Sequence, residues 1–204
     1  MYRLKRILYI LVFLNAFRII YSCCNCDNNI YYFDLKTVTV KALDNSLDWP
    51  VIVEDTTLKR NAVAFEVWLS DEEISEWASN NTGFGFNELY ANGCDCGSSY
   101  KAKQTIDSIQ IISIGKYSED IYQNQVVNEF CYAEPIYNSG FPDLYISIDE
   151  LVNSLNDLVL YDSMVYKFRI VLNSRSIYRS AHFDFKIYLS DSSVISRDIA
   201  VVIE

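Results

Sequence analysis

The chain has 204 residues, 27 acidic against 17 basic side chains, a formal net charge of −10, and half of its residues apolar. That length suits a single domain with room for a buried core, and so large an apolar share with only three prolines excludes a disordered chain. A polyanion of this size is repelled by nucleic acid and by anionic lipid surfaces, which removes both as partners.

The first 22 residues read as an export signal. Arg3, Lys5 and Arg6 form a basic start, residues 7–14 are apolar throughout, and the small Ser22 stands before Cys23. The apolar run is far too short to cross a bilayer, and no long apolar run follows it, so any membrane attachment is expected at the N-terminus. A cysteine directly after the expected cut makes Cys23 the candidate for lipidation, as the first residue of a mature chain. Removing residues 1–22 takes away Arg3, Lys5, Arg6 and Arg18 and no acid, leaving 182 residues with 13 basic and 27 acidic side chains.

The body leans toward strands, with 16 Tyr and 11 Phe among many Ile and Val, types that suit a pleated, half-buried surface. Residues 30–43 form the first strand region, with Val38, Val40 and Ala42 on one face and Thr39 and Lys41 on the other. Phe33 and Leu35 are out of phase with that face, which predicts a bulge or break near Lys36. Val63, Phe65, Val67 and Leu69 alternate with Ala64, Glu66 and Trp68 in a half-buried strand. It runs into Ser70-Asp71-Glu72-Glu73, a capping-box pattern that predicts a short helix to about Ser79. The stretch 80–99 holds four of the six glycines and reads as a long loop.

Residues 106–114 are apolar on both faces, as a covered central strand would be, whereas 132–145, with Pro135, Gly140 and Pro142, reads as irregular. A second capping box, Ser147 to Glu150, opens a helix with Ile148, Leu151, Val152 and Leu155 at helical spacing. Three strands close the chain. Their inward sets are Tyr166, Phe168, Ile170, Leu172; then Phe183, Phe185, Ile187, Leu189; and, after a Ser-Asp-Ser-Ser turn, Ile199, Val201, Ile203. Alternating strands, short turns and no βαβ rhythm predict a mainly β protein, an antiparallel Ig-like β-sandwich with two short helices in one domain spanning 23–204.

Six cysteines stand in three places: Cys23, Cys24 and Cys26; Cys94 and Cys96; and Cys131. Export permits disulfides, and residues so close in sequence do not easily bridge each other. Cys24 and Cys26 are therefore expected to face Cys94 and Cys96, or one of these to reach Cys131. Such a bridge closes a loop of about seventy residues, worth roughly 4 kcal/mol in the chain-entropy picture. Lipid on Cys23 leaves an odd thiol among the other five. Zinc is the lesser reading, because structural sites space paired ligands more widely than C-x-C.

No motif names a reaction. The single histidine, His182, shares a polar strand face with Asp184 and Lys186 and has no second histidine or serine motif to work with. Asp71, Glu72 and Glu73 read as charge at a helix N-terminus, and no calcium-loop pattern surrounds them. Neither a metal nor a cofactor is expected. The aromatics Tyr31, Tyr32, Trp77, Phe84, Phe86, Tyr90, Tyr100, Tyr132, Tyr137, Phe141 and Tyr145 gather in loops and strand edges. They serve either as plugs for the ends of the core or as platforms for a sugar or a protein. Asn80-Asn81-Thr82 fits a glycosylation acceptor.

Residues 19–23, Ile-Ile-Tyr-Ser-Cys, resemble a relaxed bacterial lipobox. Together with the S-C-C-x-C start, the segment 105–133 (TIDSIQIISIGKYSEDIYQNQVVNEFCYA) and the closing hairpin 183–194 (FDFKIYLSDSSV), they resemble a Bacteroidetes lipoprotein family of unknown function. The resemblance implies a lipid on Cys23 and a place at the outer membrane, on its periplasmic or surface face, with plain secretion as the alternative. The expectation is a non-enzymatic, lipid-anchored binding module for a protein or glycan ligand. A glycan-acting hydrolase with two carboxylates, or a structural envelope component, is the alternative.

Overall fold

The computed structural model of the protein describes residues 29–46, 50–72, 98–136, 145–161 and 163–204. The expected signal, the five cysteines Cys23, Cys24, Cys26, Cys94 and Cys96, the expected helix beyond Glu72 and most of the glycine-rich loop lie outside the described residues.

In chain order the strands are β1 (Ile30–Phe33), β2 (Thr37–Asp44), β3 (Val51–Ile52), β4 (Thr57–Leu58), β5 (Val63–Ser70), β6 (Ser99–Ala102), β7 (Ile106–Ser113), β8 (Gln125–Val126) and β9 (Cys131–Pro135). The helix α1 (Ile148–Asp157) follows, and then β10 (Leu160–Tyr161), β11 (Tyr166–Leu172), β12 (Ser180–Leu189) and β13 (Val194–Ile203). They form two five-stranded sheets, ordered β3-β2-β5-β11-β9 and β4-β13-β12-β7-β8, and a small third sheet ordered β1-β6-β10. The protein is mainly β, and the two large sheets face each other as a β-sandwich. Most pairings are antiparallel; β1 with β6 and β4 with β13 are parallel.

Alternation builds the core. Val63, Phe65, Val67 and Leu69 of β5 are buried against Phe183, Phe185 and Ile187 of β12. The Phe65 ring meets Phe183 and Phe185 edge-on, at 5.4 and 5.2 Å between centroids, a preferred geometry for aromatic pairs. The expected break near Lys36 is a crossing between sheets. Phe33 and Leu35 are both buried, the Leu35 amide donates to Gln104 Oε1 at 3.0 Å, and β2 starts in new phase at Thr37.

Four expectations change. Strand β5, read as half-buried, is buried on both faces except at Glu66. Strand β7, read as covered on both faces, alternates between a buried face and one that carries Asp107, Ser108, Gln110 and Ile112 partly exposed. The other two concern β9 and β6. Residues 132–135 are not irregular: they belong to β9, paired with β11 through Phe168↔Pro135 to Leu172↔Cys131. Pro135 is tolerated because β9 is an edge strand and Pro135 its last residue, where a missing N–H costs no ladder bond. Ser99, expected in the loop, opens β6. The expected helix at 147 is present and capped as read. The Ser147 Oγ accepts from the Glu150 amide at 3.2 Å, and the Glu150 carboxylate accepts from the Ser147 amide at 2.9 Å. Its apolar stripe, Ile148, Leu151, Val152 and Leu155, is buried, and Asn156 bonds both main-chain groups of Ile106, which ties α1 to the start of β7.

Replacing Ser147 by alanine is expected to cost about 1 kcal/mol, read as a lower urea midpoint at neutral pH. The Ser147 amide first, and then the hydroxyl that alanine removes, hold the Glu150 carboxyl below its ordinary value. A carboxyl with a depressed folded pKa stabilises above its unfolded value and loses that contribution as pH falls through the folded one. The gap between wild type and Ser147→Ala should therefore narrow on acidification.

Candidate functional site

The small sheet carries the protein's most exposed aromatic cluster among the described residues. Here β6 is central, with Tyr31↔Tyr100 and Tyr32↔Lys101 paired on the β1 side, and Leu160↔Tyr100 and Tyr161↔Ser99 on the β10 side. Phe33 anchors this sheet, its ring 5.8 Å from that of buried Tyr166, whose hydroxyl accepts from the Ala102 amide at 3.3 Å. Burial raises the Tyr166 pKa, so this support stays neutral.

Alternation then sorts the remaining side chains. Tyr31 and Tyr100 lie on the face shared with Phe33, with ring centroids 5.8 Å apart. Ile30, Tyr32 and Tyr161 lie on the other face, where Tyr32 is 60% and Tyr161 66% exposed. Tyr32 and Tyr161, beside Ile30 and Lys101, offer flat apolar area with hydroxyls at the rim, the chemistry that stacks on sugar rings or seats in protein pockets. Of the aromatics singled out in sequence, Tyr31, Tyr32 and Tyr100 come together here. Tyr132 and Tyr145 are exposed elsewhere. Trp77, Phe84, Phe86, Tyr90, Tyr137 and Phe141 lie outside the described residues. Sequence reading missed Tyr161, because a two-residue strand after a helix leaves no alternation to read.

The outer face of β2, β5, β11 and β9 carries a second constellation, a row of alternating charge: Lys41, Glu66, Arg169 and Glu134 stand side by side in register. Arg169 is held by Glu134 at 3.2 Å and faces Glu66 at 3.7 Å. Trp68 sits next to this row, with Lys41 and Lys167 over its ring at 4.5 and 4.8 Å and its indole N–H donating to Glu66 at 2.8 Å. Glu66 and Glu134 stand on the two strands that flank Arg169, and each carboxylate lies within ion-pair distance of its guanidinium.

The other candidates resolve more simply. His182 Nε2 is 2.9 Å from Asp198 Oδ2 on an exposed strand face, and that bond lowers the Asp198 pKa. Asp71 bonds Lys36, and the Ser70 hydroxyl donates to the Glu72 carbonyl at 2.6 Å. Cys131 is a free thiol facing the core, and burial pushes its pKa up to about 12. Among the described residues no cluster of His, Cys, Asp or Glu is arranged to hold a metal ion, and no helix is long and apolar enough to cross a membrane.

No family model matches the chain, and no curated protein matches it. Among solved structures it is similar to the C-terminal domain of the Streptococcus agalactiae AgI/II polypeptide BspA, at 12% identity and a TM-score of 0.28, over 82% of this chain and 50% of that one. The chain thus corresponds to about half the length of that domain.

Proposed function

We propose that this is an exported cell-envelope protein, lipid-anchored at Cys23 in the manner of the Bacteroidetes lipoproteins it resembles, whose β-sandwich binds a protein or glycan through the tyrosine sheet. One observation carries the binding reading: Tyr32 and Tyr161 stand more than half exposed on one face of a sheet whose other side is rooted in the core by Phe33. Exposed tyrosines, with only two rotatable side-chain bonds, give contact area at low entropic cost, and that is the property of a binding surface. The acidic balance of the chain favours a neutral or basic partner over nucleic acid.

The test is binding of immobilised protein to envelope polysaccharide and to envelope protein fractions, for wild type and for the combined Tyr32→Ala and Tyr161→Ala variant. Truncating central aromatic contacts should weaken binding about tenfold or more. Thermal unfolding should be little changed, since both side chains are exposed. Equal binding by the two proteins would refute the tyrosine sheet as the contact surface.

A further inference from the structure

One long side of the sandwich is only half closed. The strands β2 and β13, one from each large sheet, lie against each other along it. The segment 51–58 closes one end by giving two residues to each sheet: Val51 and Ile52 pair with Asp44 and Leu43, while Thr57 and Leu58 pair with Val202 and Ile203. The other end, where β2 and β13 begin, has no such strand among the described residues. There a cleft of about 370 Å³ is lined by Lys36, Thr37 and Val38 on one side and by residues 194–197 on the other.

The backbone of β13 fixes which groups face this opening. The Val202 and Glu204 amides donate outward, to the Thr56 and Leu58 carbonyls, whereas the Ile203 amide donates to Arg179 at the end of β12 and the Leu189 amide to the Ser193 carbonyl. Main-chain groups alternate in direction along an antiparallel strand, so the N–H and C=O of Ser196, Asp198 and Ala200 point to the same open edge as those of Val202. All three residues are exposed. On β2 the Ala42 carbonyl accepts from the Val53 amide, which directs the main-chain groups of Val40 and Val38 to the matching edge of the other sheet.

We propose that β13 accepts an extended strand of a partner polypeptide along residues 196–200, continuing the line that β4 begins. Only another extended backbone satisfies a row of alternating N–H and C=O groups, which selects a peptide over a sugar or a flat protein face. The cleft sets its side chains. Ile195 and Val38 ask for an apolar residue, and exposed Arg197 asks for an acidic residue one alternation away, whereas Lys36 at the mouth is already paired with Asp71. The partner segment therefore alternates apolar or acidic residues facing the cleft with polar residues facing solvent. This site is separate from the tyrosine sheet, and its test does not depend on that surface.

The experiment is amide hydrogen exchange by NMR on the full-length protein, with the synthetic peptide Thr-Val-Thr-Glu-Thr-Val-Thr-Val-Thr as probe. The amides of Ser196, Asp198 and Ala200 should exchange fast in the free protein and slow about tenfold or more with peptide. A lysine in place of the probe's glutamate should weaken this at least about fivefold. Ala200→Pro removes an outward N–H but no bond to β12, so it should abolish the peptide effect while leaving exchange at Phe183 and Phe185 unchanged. No protection at the highest soluble peptide concentration would overturn the proposal. So would protection already present without peptide: if it rises with protein concentration a second copy holds the edge, and if it does not the chain covers its own edge.

Discussion

Phe65→Ala is expected to cost about 3–5 kcal/mol, the largest single loss in this fold. Its ring is fully buried in the middle of β5 and touches two rings of the opposite sheet, Phe183 and Phe185. Deletion therefore removes the transfer free energy of the ring and two edge-to-face contacts, and leaves a void that sheets pinned on both sides cannot collapse into. A domain of this size has a total stability of about 5–15 kcal/mol, so the variant should sit near its unfolding threshold. Urea denaturation followed by intrinsic fluorescence reads this directly. Phe65→Leu, which keeps most of the volume, should recover more than half of the loss; an alanine variant within about 1 kcal/mol of wild type would show that the two sheets do not pack through this contact.

Arg169→Ala should be the second most damaging change, for an electrostatic reason. Arg169 separates Glu66 and Glu134, whose side chains are only 12% and 11% exposed. Removing it takes away the cation that lies between two nearly buried carboxylates. Breaking a fully buried ion pair costs about 3–5 kcal/mol, and with the arginine itself a quarter exposed the expectation is about 2–3 kcal/mol. A combined Glu66→Leu, Arg169→Met, Glu134→Leu variant removes all three charges and should be much closer to wild type than Arg169→Ala alone. If the triple variant is the less stable of the two, the row stabilises by its hydrogen bonds and not by neutralising buried charge.

Strong alternation made most of the sandwich legible in the sequence. The inward sets of β5, β11 and β12 are those read from period two; β11 and β12 each have one buried and one half-exposed face, while β5 is buried on both faces except at Glu66. The α1 cap was legible because Ser147 and Glu150 are local to each other. The small sheet was not. Its parallel pairing joins β1 to a strand some seventy residues away, and its third member has two residues, so neither pattern nor proximity announces it. The ion row was hidden for the same reason: Glu66, Glu134 and Arg169 lie on three separate strands, and sequence spacing does not report spacing in space. Pro135 misled in the opposite direction, since a proline argues against a central strand but not against the end of an edge strand.

The envelope role proposed for this protein requires that the chain reach the envelope and stay there. The most direct measurement is the intact mass of the protein from the membrane fraction, beside a Cys23→Ala variant expressed in the same cells. A lipid-anchored protein starting at Cys23 gives the mass of residues 23–204 plus a diacylglyceryl group and acyl chains, and the variant loses both that mass and the membrane fraction. A wild type with no added lipid mass, fractionating identically to Cys23→Ala, would contradict the anchor and the envelope role built on it.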